Sequence, residues 1–239
     1  MAVRLQYSFN EASGTTLLEA SGGPSGVLDG NGARVTGKNG TAVSNINGGY
    51  ASRAATVSGL ASTLLTSTWT AWTLMCWVQV GSNGNSDYGT AVNSGGSDAW
   101  GISLPSATQA KFWFKSNTGT TDTPIYTHGL SSGTWMHLAA TWSAASGVLK
   151  LFTDGVERSS TARGGSTINV DVDVIWLCGV PWTSPSTNPL DDFRLFDSAE
   201  DAASITTWMN TPVGGAPPAG KSFSFRRNPT RGLIMRGRR

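Results

Sequence analysis

The chain has 239 residues, of which 13% are charged and 38% hydrophobic, with 30 Gly, 10 Trp and 2 Cys. That charge content is about half of the roughly 25% usual for soluble domains; it excludes a charge-rich disordered chain and implies a surface wetted by hydroxyls, amides and backbone. Abundant Gly, Ser, Thr and Trp favour turns and pleated strands, and a chain of this length buries around 70% of its unfolded surface without needing disulfides or metal.

The first twelve residues, MAVRLQYSFNEA, pass straight into an alternating strand with no apolar leader stretch. No apolar run approaches the ~20 residues of a membrane-crossing helix, so the expectation is synthesis in a cytoplasm without a span. Alternation predicts strands at about 3–10, 72–80, 99–104, 110–116, 135–142, 148–153, 168–178 and 190–196, separated by Gly/Ser/Asn loops. Trp72, Trp77, Trp113, Trp135, Trp142 and Trp176 lie in these runs and are expected in the core. Cys76 and Cys178 lie in apolar runs, LMCWVQV and VIWLCGV, and are expected as buried free thiols.

The stretch 133–157, GTWMHLAATWSAASGVLKLFTDGVE, reads as a hairpin followed by a second reversal at Asp154-Gly155. After the last strand, Ser198 is expected to cap a helical segment carrying Glu200, Asp201, Ile205 and Trp208. TPVGGAPPAG at 211–220 reads as a linker, which makes 1–210 the folded body. Residues 221–239, KSFSFRRNPTRGLIMRGRR, form an Arg-rich tail with seven positive charges and no negative ones. The rest of the chain holds ten basic and fifteen acidic side chains, so body and tail are of opposite sign. Apolar residues interleave with the tail's basic ones, the pattern of a segment that orders on a partner. Phe223, Phe225, Arg226, Arg227, Arg231, Arg236, Arg238 and Arg239 are the expected anchoring residues. A protein groove is favoured over nucleic acid or an anionic membrane, with a bland solvated tail as the alternative.

The Trp-His strand leading to a strand that ends in Asp-Gly resembles the central signature of laminin-G-like, concanavalin-type jelly rolls. YSFNEASGTT at 7–16 and LDDFRLFDSAEDAASI at 190–205 resemble the opening and closing strands of that family. The resemblance implies an all-β jelly-roll sandwich, here with an extended basic C-terminal tail, in which the first and last strands pair. It says little about activity, because lectins, glycosidases, receptor modules and phage virion proteins share the fold.

Glucanases of this fold carry Glu-x-Asp-x-x-Glu on one strand, and that string is absent; Asp171 and Asp173 alternate without a third acid. His128 and His137 are the only histidines, and no nucleophile motif accompanies them, so the chain reads as non-enzymatic. The resemblance implies calcium near the joined first and last strands, with Glu19, Asp191 and Asp192 as ligands; a structural, hydrogen-bonding carboxylate is the other reading. Sugar platforms are expected at loop aromatics: Trp182 in VPWTSPSTNP, then Trp100 after GGSDA, with Asn188 as a polar partner.

The leading expectation is a non-catalytic phage virion component. It would be a capsid-decoration or minor tail protein that displays a jelly roll on the particle surface, binds virion subunits through its tail and contacts host glycans. The alternative is a carbohydrate-binding lectin-like module that uses calcium, and a glycosidase ranks last.

Overall fold

The computed structural model describes residues 3–46, 53–58, 60, 69–82, 86–93, 98–115, 121–162, 172–179 and 187–214. Trp182 and the tail residues Phe223, Phe225, Arg226, Arg227, Arg231, Arg236, Arg238 and Arg239 lie outside them.

The strands in chain order begin with β1 (Val3–Tyr7), β2 (Thr16–Leu17), β3 (Gly26–Leu28), β4 (Gly32–Thr36), β5 (Thr41–Asn45) and β6 (Ala55–Ser58). Next come β7 (Ala71–Gln79), β8 (Ser86–Asn93), β9 (Asp98–Ser106), β10 (Gln109–Lys115), β11 (Thr121–Asp122) and β12 (Ile125–Thr127). The series closes with β13 (Trp135–Ser143), β14 (Val148–Thr153), β15 (Val156–Ala162), β16 (Val172–Leu177), β17 (Leu190–Phe196) and the helix α1 (Ala202–Met209).

They form two antiparallel sheets, a jelly-roll sandwich. The first runs β15-β14-β13-β7-β17-β5-β4, with β1 also on β17; the second runs β11-β10-β9-β8-β16-β6-β3-β2, with β12 on β10. First and last strands pair as expected, Leu5 with Leu195 and Tyr7 with Phe193.

Period-two alternation sends Trp72, Leu74, Cys76 and Val78 of β7 and Met136, Leu138, Ala140 and Trp142 of β13 into the space between the sheets. Trp100, Ile102 and Leu104 of β9 and Ile175 and Leu177 of β16 meet them from the second sheet. Both cysteines are buried free thiols. The reversal at Asp154-Gly155 has positive φ at both residues, 50° and 79°, which is the backbone a two-residue hairpin requires.

Part of the outer face of the first sheet is covered. Met75, Ala139, Phe152 and Phe196 pack there under Ile205 and Trp208 of α1. The helix is capped by Asp201, whose side chain accepts from the Ser204 N–H at 2.7 Å, not by Ser198. Ser198 instead donates its hydroxyl to Glu200 at 2.7 Å. Past the helix, Thr211 and Val213, in the stretch read as a linker, are tied to β17 by Arg194 and Asp192.

Candidate functional site

Two groups of side chains carry chemistry, one on each outer face. On the first sheet, His137, Trp77 and Asp191 stand in one cross-strand row. Asp191 accepts from the Asn39 N–H at 2.8 Å and the Asp192 N–H at 2.7 Å. Asp192 accepts from the Asn39 side-chain amide and, at 3.0 Å, from the Val213 N–H. Arg194 donates to the Trp208 carbonyl at 3.0 Å and to that of Thr211.

Burial dominates the electrostatics of this group. It pushes the Asp191 carboxyl up to about 6, with the neighbouring Asp192 charge adding to the rise, and it raises Asp192 as well. It lowers Arg194 to about 10 against the pull of the two carboxylates. His137 is held down to about 3 by burial, reinforced by the Arg194 charge, and so stays neutral; neither ring nitrogen has a hydrogen-bond partner among the described residues. The arrangement ties the turn at 37–40 and the segment after α1 onto the closing strand.

These contacts give the expected calcium ligands structural hydrogen-bonding roles. Both Glu19 oxygens are taken: one accepts from the Gln6 N–H at 2.6 Å and from the Ser21 hydroxyl, the other from the Ser21 N–H at 2.8 Å and from the Gly23 N–H. Asp191 and Asp192 are spent on Asn39 and Val213, and among the described residues no three His, Cys, Asp or Glu side chains converge to hold a metal.

Trp100 is corrected as a platform: it is 2% exposed and stacks on Trp72 inside the core, with ring centroids 5.9 Å apart. Its position on β9 points inward, in step with Ile102 and Leu104. Asn188 packs against Gly81, just past the end of β7.

The second sheet presents a different surface. Pairing registers place Thr16, Val27, Thr56, Trp176, Gly101 and Trp113 in one row across its outer face, with β8 between Trp176 and Gly101. Trp113 and Trp176, expected in the core, are half-buried here because their alternation is opposite to that of Phe112 and Ile175. The Nε1 side of the Trp113 indole covers Gly101. Next along β9 lies Ser103, buried, with no partner for its hydroxyl among the described residues.

At the other end of the row Arg53 lies over the Trp176 ring, 5.1 Å from its centroid. Its Nε donates to Asp29 Oδ2 and to Thr56 Oγ1, both at 2.7 Å, and Thr56 donates to Asp29 at 2.8 Å. Arg53 and Asp29 keep 30% and 28% side-chain exposure, so the group is firmly built yet reachable from solvent. An indole, a carboxylate, a guanidinium and hydroxyls on one accessible sheet face can stack apolar ring faces and bond polar edges. Alternation of single strands does not reveal this group: which half of each strand faces the core is fixed only when the strands are paired. Gly101 opposite a strand Trp is the one local signal.

The family model described as the concanavalin A-like lectin/glucanases superfamily, Laminin G 3, matches residues 47–206. No curated protein sequence matches the chain. Among solved structures, the binding domain of botulinum neurotoxin serotype G aligns with a TM-score of 0.68 and 13% identity over 84% of this chain and 49% of that one. The binding domain of Paraclostridial Mosquitocidal Protein 1 gives 0.66 and 16%, over 87% and 52%. The serotype D neurotoxin ligand binding domain in complex with N-acetylneuraminic acid gives 0.66 and 12%, over 86% and 50%. The chain spans about half the length of these structures, and at such identities the likeness concerns the fold. With its family model matched over more than half its length and its sandwich in place, the chain belongs to the concanavalin A-like lectin/glucanases superfamily.

Proposed function

We propose that this chain is a non-catalytic carbohydrate-binding module whose binding surface is the outer face of the second sheet. The observation that carries the reading is the row from Arg53 and Trp176 to Trp113: α1 covers the middle of one face of the sandwich, while the other leaves aromatic and hydrogen-bonding groups accessible. Sugar rings offer apolar C–H faces for an indole and hydroxyl edges for Asp29, Thr56 and Arg53, the mixture that ligand sites combine. The family's lectin members and the sialic-acid complex of a structural neighbour support the same class of ligand. Binding of wild type and Trp113→Ala to a panel of immobilised glycans tests the reading. Retention on at least one glycan that the variant loses, with the variant still folded, supports it; absence of retention on any glycan overturns it.

A second reading, display on a virus particle, is favoured by the charge division between the tail and the rest of the chain. In this reading the tail docks on a capsid or tail subunit through its arginines and phenylalanines, and the sandwich faces outward to meet host glycans. Deleting residues 221–239 should then abolish incorporation into particles while leaving glycan binding intact. Incorporation at the wild-type level would contradict it.

A further inference from the structure

We propose that the Arg53 corner of this face receives the carboxylate of an acidic sugar, so that the module binds uronate- or sialate-bearing chains in preference to neutral ones. The inference rests on the glycan-binding reading above and names the ligand class of the same face.

Arg53 uses only part of its hydrogen-bonding capacity within the fold. Its Nε is spent on Asp29 and Thr56, while Nη1 and Nη2 have no partner among the described residues. The guanidinium is approached from two directions, by the Asp29 carboxylate at its Nε and by the Trp176 ring, whose centroid lies 5.1 Å from its central carbon. Much of the rotamer freedom that a surface arginine normally loses on binding is therefore already lost. What remains is a fixed pair of N–H groups on the Nη edge, the geometry that meets a carboxylate with two parallel hydrogen bonds.

The same stack decides which aromatic binds sugar by its face. Arg53 occupies a face of Trp176, so that indole serves as a support, and ring stacking falls to Trp113. The two positions are separated by β8 and β9, three inter-strand steps, or roughly 14 Å. That span suits an extended chain of several sugar units that sets a neutral ring on Trp113 and a charged one at Arg53. A single monosaccharide reaches only one of the two.

The test uses the full chain and one oligosaccharide in two forms, an oligo-galacturonate and the same oligomer with its carboxyls reduced to alcohols, titrated by calorimetry. The uronate is expected to bind at least tenfold more tightly than its reduced form. Arg53→Gln should remove that difference, with the affinity for the uronate falling at least tenfold more than that for the reduced oligomer, and Trp113→Ala should weaken both. Arg53→Lys keeps the charge and the attraction to Asp29 but lacks the fork; it should also lose most of the preference, which guards against a misfolded glutamine variant. Equal binding of both forms, unchanged in Arg53→Gln, overturns the acidic-sugar inference and leaves glycan binding standing. Absence of binding of either form or of any panel glycan overturns both. Arg53-dependent binding of single-stranded DNA with no uronate binding assigns the site to phosphate and also overturns it.

Discussion

Trp113 occupies the space in which a side chain on Gly101 would stand: a Cβ there would lie 2.6 Å from Cζ2 and 2.8 Å from Nε1 of the indole. Glycine at 101 therefore sets where the platform lies. Gly101→Ala keeps the tryptophan but forces the ring to move, and Gly101 is not among the positive-φ glycines, so alanine fits its backbone. Glycan affinity should fall by roughly tenfold, with stability changed by less than about 1 kcal/mol. Calorimetric titration alongside a urea melt separates the two effects; unaltered affinity would mean that Trp113 is only a cover for the strand.

Asp192 accepts the Val213 N–H and faces the buried Arg194 charge. Asp192→Ala leaves an unsatisfied donor and strips the buried Arg194 of one of its two neighbouring carboxylates, a loss of about 2–3 kcal/mol. Asp192→Asn keeps an acceptor and tolerates the φ of 46° at this position, so its cost should be clearly smaller. Urea-unfolding midpoints of the two variants provide the comparison.

Acid should act on this protein through two groups of opposite sign. His137 titrates near 3 when folded and near 6.5 when unfolded, so its contribution is complete above about 6.5 and is lost as pH falls towards 3, at up to about 1.4 kcal/mol per pH unit. Asp191 titrates near 6 when folded and near 3.9 when unfolded, so its contribution is greatest below about 4 and is lost as pH rises to 6. The two slopes oppose each other between about 4 and 6, where wild-type stability should be nearly flat, before falling below 4. In His137→Leu only the Asp191 slope remains, and stability should rise from pH 6 to pH 4. Denaturation at half-unit pH intervals reads both curves.

Gly155 closes the β14–β15 hairpin at a φ of 79°, and a Cβ there would stand 2.4 Å from Thr206 Oγ1 on α1. Gly155→Ala combines an unfavourable backbone with a clash against the helix. It should cost about 2 kcal/mol or more, with a melting temperature lower by several degrees. A second change, Thr206→Ala, should recover only the part due to the clash.

The sandwich was readable from the sequence because its signals are local. The Asp154-Gly155 turn, the alternation of 135–142 and 148–153, and the closing run at 190–196 each specify their element with few residues. The short strands between residues 16 and 58 and the exposed β15 lack that alternation, so they appear only through pairing. The outer face of the second sheet was misread for the same reason. Trp113 and Trp176 alternate as regularly as Trp72 and Trp142, and nothing in one strand says which parity faces inward. Asp191 and Asp192 stood out in the sequence, but their partners, Asn39 and Val213, are distant from them in the chain, so the clamp they form could not be read there. Trp100 follows a loop and yet is drawn inward by Trp72.

The central claim is that glycans bind across the outer face of the second sheet, and the most direct measurement follows the tryptophan indole N–H signals by nitrogen-15 NMR during titration with a bound oligosaccharide. The account predicts that the Trp113 and Trp176 signals, assigned through single Trp→Phe variants, shift in proportion to occupancy while those of the core residues Trp72 and Trp142 stay in place. Saturable binding that leaves Trp113 and Trp176 unmoved would contradict it and place the site elsewhere on the molecule.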